Sequence, residues 1–285
     1  MHCYPECYTC LENLARRCVS LAGLDSPKQG EVLAAALDYL EKNFSLDQIS
    51  TVTAAGMQRV IRSKTGNSDP FAAVKEEELA LARRSLERFP LSGSASLREL
   101  VQLAAKGNGF DYFQELSMLE KQFQEPVKFD RDDLDAFEEL LQGYRRESGK
   151  KIVYLADNAG ESLFDLPLAN SLKRWAQVHY AVKGAPVQND LSMIDLERSG
   201  LIDRFPGVVS TGTDSPGLDL EGASPAFKKL LGEADLIVAK GMGHYETLPE
   251  LSLLQPVFLI FQVKCNPIAQ DSGLPRNSYA AYFLD

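Results

Sequence analysis

Four short stretches concentrate the residue types that can do chemistry. They are Asp157-Asn158, Asn189-Asp190, the run Gly212-Thr213-Asp214-Ser215-Pro216-Gly217, and Lys240-Gly241-Met242-Gly243. Carboxylate and amide oxygens suit a hard divalent cation such as Mg²⁺ or Mn²⁺, whose coordination sphere keeps places for water and a phosphate oxygen. Held by Asp157, Asn158 and Asp190, such a cation polarises a phosphoryl group and orients water. Lys240 and the N–H groups of the Gly212, Thr213 and Gly217 loop then hold the remaining phosphate oxygens. The set is sufficient for phosphoester hydrolysis. Taken singly, each member has a plainer reading: Asp157-Asn158 as a turn or helix cap, Asn189-Asp190 likewise, and Lys240 as a solvated lysine.

Each stretch directly follows a short β-branched or apolar run, such as residues 152–156, 178–183, 208–210 or 236–239, and a fifth run covers 256–261. Helical stretches fall between most of them. This alternation predicts a Rossmann-like α/β/α domain with a mostly parallel sheet, in which ligands bind beyond the carboxyl ends of the strands. Before it, apolar residues recur at helical spacing, as in Leu11, Leu14, Ala15 and Cys18 or Val32, Leu33, Ala36 and Leu40. Residues 1–149 therefore read as an all-helical domain contributing to the substrate pocket, and 150–285 as the Rossmann-like domain that binds metal and phosphate. The acidic run Glu76-Glu77-Glu78 reads as a solvated helix face or a helix cap and not as a metal site.

With 40 acidic against 30 basic side chains the net charge is -10, which disfavours nucleic acid or an anionic membrane as the main partner. The first twenty residues include His2, Pro5, Glu6, Arg16 and Arg17 and lack the continuous apolar core of a secretory signal, and no apolar run is long enough to span a bilayer. A cytoplasmic location is expected.

The strings LADNAGE (155–161), VKGAPVQND (182–190), TGTDSPG (211–217), AKGMGHYETL (239–248) and VKCNPIA (263–269) resemble, in order, those of the metal-dependent damage-control phosphatases formerly called domain of unknown function eighty-nine. ECYTC (6–10), GNSDPF (66–71) and KGNGFDY (106–112) resemble its small prokaryotic branch with an amino-terminal Cys-x2-Cys. The resemblance implies hydrolysis of small phosphorylated metabolites such as sugar phosphates or damaged cofactor phosphates, with a divalent metal (Mg, Mn, Co or Ni). It places the metal-binding Asp-Asn pair on Asp157 and Asn158, the second acidic ligand on Asp190 and the phosphate-binding lysine on Lys240. It also puts Asn108, Asp111 and Glu161 at the substrate. His244 stands where relatives often carry Asn, and Pro167 falls inside the helix expected after Asn-Ala-Gly-Glu.

Four of the five cysteines lie in the first eighteen residues. Cys7, Cys10 and distant Cys265 read either as a structural metal site or as reduced thiols that dock the amino terminus. An S-adenosylmethionine-dependent carboxyl methyltransferase is the competing enzyme class; the Asp-Asn-Ala-Gly-Glu loop lacks the Gly-x-Gly that lets a backbone approach a nucleotide. A phosphometabolite-binding module without catalysis is the non-enzymatic alternative.

Overall fold

The computed structural model describes residues 1–88, 94–109 and 127–284. Among the described residues five helices come first: α1 (Pro5–Leu21), α2 (Ser26–Asn43), α3 (Ser50–Thr65), α4 (Ala72–Arg88) and α5 (Leu97–Asn108). Their starts follow ordinary capping chemistry. Asp25 accepts from Lys28 N–H at the head of α2, and Ser96 with Glu99 forms a capping box at the head of α5. The apolar faces of α1, α2 and α3 meet in one core of their own, with Leu11, Ala15, Val32, Leu40, Met57 and Ile61 buried.

The remainder is built on a seven-stranded sheet: β1 (Phe129–Asp132), β2 (Lys151–Leu155), β3 (Gln177–Val182), β4 (Val209–Ser210), β5 (Leu236–Lys240), β6 (Val257–Gln262) and β7 (Tyr279–Phe283). The spatial order is β1-β7-β6-β5-β2-β3-β4, and only the β6–β7 pair is antiparallel. Counted from β2, the five parallel strands run in the order of a doubly wound nucleotide-binding sheet, with the direction of winding reversed between β2 and β5. Such a reversal opens a crevice at the carboxyl ends of those two strands.

Both faces of the sheet are covered, so its strands are apolar on both sides. Ile152 and Tyr154 of β2 enter one core and Val153 and Leu155 the other; Leu236 and Val238 of β5 divide from Ile237 and Ala239 in the same way. One face is covered by α4, α5, α6 (Leu134–Tyr144) and α7 (Ser162–Leu172). The other is covered by α9 (Pro225–Gly232), α10 (Met242–Thr247) and α11 (Asn266–Ser272). A short helix, α8 (Met193–Ser199), follows β3. α7 runs through Pro167 without a break.

Two points differ from the sequence reading. The sheet does not start at residue 150: Phe129–Asp132 is its edge strand, pairing with β7. And α5, from the amino-terminal half, packs on α7 and β6, so it belongs to the sheet's own cover. Both strands that the reading omitted, β1 and β7, lie at one edge and run opposite to the other five. Among the described residues no helix is long and apolar enough to cross a membrane.

Candidate active site

The loops that leave β2 and β3 form one hydrogen-bonded unit. Leu191 N–H donates to the Asp157 carbonyl at 2.8 Å, Ala159 N–H donates to the Asn189 carbonyl at 2.8 Å, and Asn158 and Asp190 pair as an isolated antiparallel bridge. Asp157, Asn158 and Asp190 thereby line a single cleft of about 320 Å³, a volume that admits a small metabolite. The preceding Gln188 is held at φ 44°, unusual for a residue with a side chain, and its N–H donates to Gln58 Oε1 of α3 at 2.9 Å. On the opposite lip Gly241 has φ 83°, and a Cβ there would stand 1.8 Å from Asp157 Oδ2. Glycine at the end of β5 is what lets that loop approach the carboxylate.

Three carboxylates crowd this end of the sheet. Burial pushes the Asp157 carboxyl well above its ordinary range, and the neighbouring charges of Glu161 and Asp190 push the same way. Asp190 is pushed up to about 6 by burial, against the pull of Lys183. Lys183 Nζ stands 3.6 Å from Asp190 Oδ2, an ion-pair separation too long for a hydrogen bond, so that buried oxygen has no donor among the described residues. Glu161 behaves oppositely. Burial alone would raise it, but Lys240 and then Lys264 hold it down to about 2.

Lys240 does not reach the cleft. It is fully buried beneath it, with Nζ 2.9 Å from Glu161 Oε2 and 2.6 Å from Asp165 Oδ1. Glu161 is likewise saturated and has no free oxygen for a substrate: it also accepts from Asn158 Nδ2 at 2.8 Å, from Asn158 N–H at 3.2 Å and from Asn108 Nδ2. These two residues position the site. Asn108 does line the cleft, bonding Asp157 Oδ2 at 3.3 Å and accepting Gln262 N–H at 2.8 Å. Its neighbour Gly107 leaves room for Phe164, whose Cβ would be 2.7 Å from an added methyl. Asp111 lies outside the described residues.

The 211–217 loop is also structural where phosphate contacts were expected. Gly212 (φ 85°) packs on Gly184, the Thr213 carbonyl accepts Gly184 N–H at 2.8 Å, and the Gly217 carbonyl accepts from Lys183. Of this loop only Pro216 borders the cleft. Asp214 instead anchors it to α3 through Arg59 and Arg62. His244 is buried with Nδ1 2.6 Å from the Lys240 carbonyl, and burial with nearby Lys183 pushes it down to about 3. It is therefore neutral, and Nδ1–H donates.

Three charged residues of the cleft, Lys264, Glu78 and Arg17 of α1, were not singled out as site residues from the sequence. Lys264, just past β6, lines it and offers a cation beside Asp157 and Glu161. Its position after a strand was the available signal, the same one that marked Asp157. Glu78 of α4 is 4% exposed and borders the cleft, contrary to its reading as a solvated face. It shares a helical stripe with Val74, Ala82 and Ser85, all buried, and that periodicity was the signal. Burial pushes its carboxyl up to about 7, although Oε1 accepts from Asn189 Nδ2 at 2.9 Å.

Cys7, Cys10 and Cys265 border a neighbouring cavity of about 300 Å³ as free thiols. Among the described residues no group of three or more His, Cys, Asp or Glu side chains that could hold a metal is found. The main site differs in kind, joining two carboxylates with an amide oxygen.

Residues 3–279 match the family model described as the damage-control phosphatase ARMT1-like domain. A damage-control phosphatase of Pyrococcus horikoshii is 30% identical over 277 residues, covering 96% of this chain and 95% of that protein. One from Archaeoglobus fulgidus is 30% identical over 282 residues, 95% of each. The crystal structure of a Pyrococcus horikoshii protein of the DUF89 family superposes with a TM-score of 0.86 over 100% of both chains, at 28% identity.

Proposed function

Because the chain belongs to the damage-control phosphatase ARMT1-like domain family, we propose that it hydrolyses phosphate monoesters of small metabolites with a divalent cation held by Asp157, Asn158 and Asp190. The observation that carries the metal assignment is Asp190 Oδ2, buried and without a donor beside the crowded carboxyls of Asp157 and Glu161. Hard oxygens in excess of donors fit Mg²⁺, Mn²⁺, Co²⁺ or Ni²⁺. When bound, the cation supplies Lewis-acid polarisation of the phosphoryl group and offsets the charge that builds up as the ester bond breaks.

The chain's own residues do the rest. Asn158 spends its amide nitrogen on Glu161 and Asp157, which leaves the amide oxygen as its ligand atom. Lys240 locks Glu161, and Glu161 locks both Asn158 and Asn108, so the ligand shell is preorganised from below. Lys264, in place of Lys240, is the strand-end cation of the cleft that faces phosphate oxygens, and Arg17 of α1 is a second cation in its lining. Methyl transfer has no comparable support: Asp157 and Asn158 occupy the place where a cofactor-binding sheet would turn on Gly-x-Gly.

The test is a panel of phosphate esters assayed with each of the four metals after chelator treatment, repeated on Asp157→Ala and Asp190→Ala. Phosphate release that needs added metal and vanishes in both variants is expected. Undiminished release in chelator overturns the metal assignment, and no release from any ester by the intact protein overturns the phosphatase reading.

A further inference from the structure

Two cleft residues, one on α3 and one on α4, have a buried polar atom with no hydrogen-bond partner. They are Thr51 Oγ1 and Glu78 Oε2, on side chains 5% and 4% exposed. A buried polar atom without a partner is costly and is kept where a ligand supplies the missing partner. Neither residue touches the chemistry as assigned above. Both line the same cleft as Asp157, Asp190 and Lys264, and Glu78 does so from beside the strand-end loops, bonded to Asn189.

Both are held in place. Glu78 Oε1 is taken by Asn189 Nδ2, and although the Gly160 N–H lies close enough to favour the carboxylate, Oε2 makes no hydrogen bond among the described residues. Gly160 lets α4 come this close, since a Cβ there would stand 2.8 Å from Glu78 Cβ. Thr51 rides on α3, which is tied to the strand-end loops through Gln58 to Gln188 N–H and through Arg59 and Arg62 to Asp214. The same cleft is also lined by the amides of Gln188 and Asn189 and by Arg17 and Glu246. A phosphate seated beside Lys264 and the carboxylates leaves the alcohol half of the ester against this lining. An apolar leaving group would leave both orphan atoms unpaired, whereas a hydroxylated one would satisfy them.

We propose that Glu78 and Thr51 are specificity-determining residues that hydrogen-bond free hydroxyl groups on the alcohol half of the phosphate ester. The inference rests on the phosphatase reading and adds the side chains that choose among esters. Glu78 Oε2 accepts from one hydroxyl, and Thr51 Oγ1 pairs with another.

The test compares kcat/KM on glycerol 3-phosphate and ribose 5-phosphate with that on propyl phosphate, which lacks hydroxyls, in the metal-supplemented protein. Glu78→Gln keeps an amide oxygen for Asn189 but replaces the open acceptor with an NH2 group, and Thr51→Val keeps the shape without the hydroxyl. The intact protein is expected to favour the hydroxylated esters, and each variant to reduce that preference ratio about tenfold, with Thr51→Ser restoring it. A ratio that holds while activity on all esters falls together means a structural role and overturns the proposal. So does an intact protein that hydrolyses propyl phosphate with no preference, an outcome that leaves the phosphatase reading standing. Failure on every ester overturns that reading, and this proposal with it.

Discussion

Lys240 Nζ donates to Asp165 Oδ1 at 2.6 Å with both side chains at 0% exposure, directly below the loop that carries Asp157 and Asn158. A second bond, to Glu161 Oε2, makes this lysine the single cation shared by two buried carboxylates. Removing one partner of such a cluster leaves uncompensated buried charge. Lys240→Met should therefore lower unfolding free energy by about 3–5 kcal/mol, read by urea unfolding in chelator. A lysine whose task was to grip phosphate would leave that midpoint in place and show itself only in KM.

Lys264 should give the opposite pattern. It lines the cleft, has partial exposure, and acts on Asp157 and Glu161 through its charge. Lys264→Ala should stay folded, with kcat/KM lowered on the order of 100-fold, as when one preorganised donor to a transferring group is removed. Competitive inhibition by inorganic phosphate should weaken in parallel. Intact kcat/KM in this variant would return the phosphate contact to another residue.

The contrast between the two lysines shows what the sequence made legible. Strand-end position predicted that Asp157, Asn158 and Asp190 meet, and they line one cleft, because a parallel sheet sends all its carboxyl ends to one side and the reversal between β2 and β5 opens there. The same logic, with the resemblance, picked out Lys240 and passed over Lys264, since it says which end of a strand is functional but not whether the last side chain points up to the cleft or down to the core. Only the pairing with Asp165, an α7 residue that looks like any helical aspartate, decides that. Glu78 was hidden for a related reason: in Glu76-Glu77-Glu78 composition suggests a solvated face, and only the helical stripe it shares with Val74 and Ala82 separates the third glutamate from its neighbours. The edge strand β1 was missed because it is four residues long and three of them, Asp130, Arg131 and Asp132, are charged.

Metal binding should register on the fold as well as on activity. Each assigned ligand is fixed in the native state only, so a cation at 100 times its dissociation constant should add about 2.7 kcal/mol of stability. Thermal unfolding of the chelated protein with and without Mn²⁺ reads this directly. The shift should vanish in Asp190→Ala, where Oδ2 is gone. A shift that survives this substitution and is lost only in Cys7→Ser would move the site to the amino-terminal thiols.

Glu78 predicts the pH dependence of stability. Its carboxyl is raised by burial from 4.5 to about 7 in the folded protein, so the native state binds more protons than the unfolded chain between those values. Stability from this group is fully present below pH 4.5 and is lost as pH rises through about 7, after which it no longer changes. The loss over that window is on the order of 3 kcal/mol. Glu78→Gln cannot titrate, so its unfolding free energy should fall less than that of the intact protein between pH 5 and pH 8, a window of about three units around the shifted carboxyl. Urea unfolding of both proteins in chelator at the two pH values measures the difference. Parallel pH profiles would mean that the Glu78 carboxyl titrates as in the unfolded chain, and that its open oxygen is solvated.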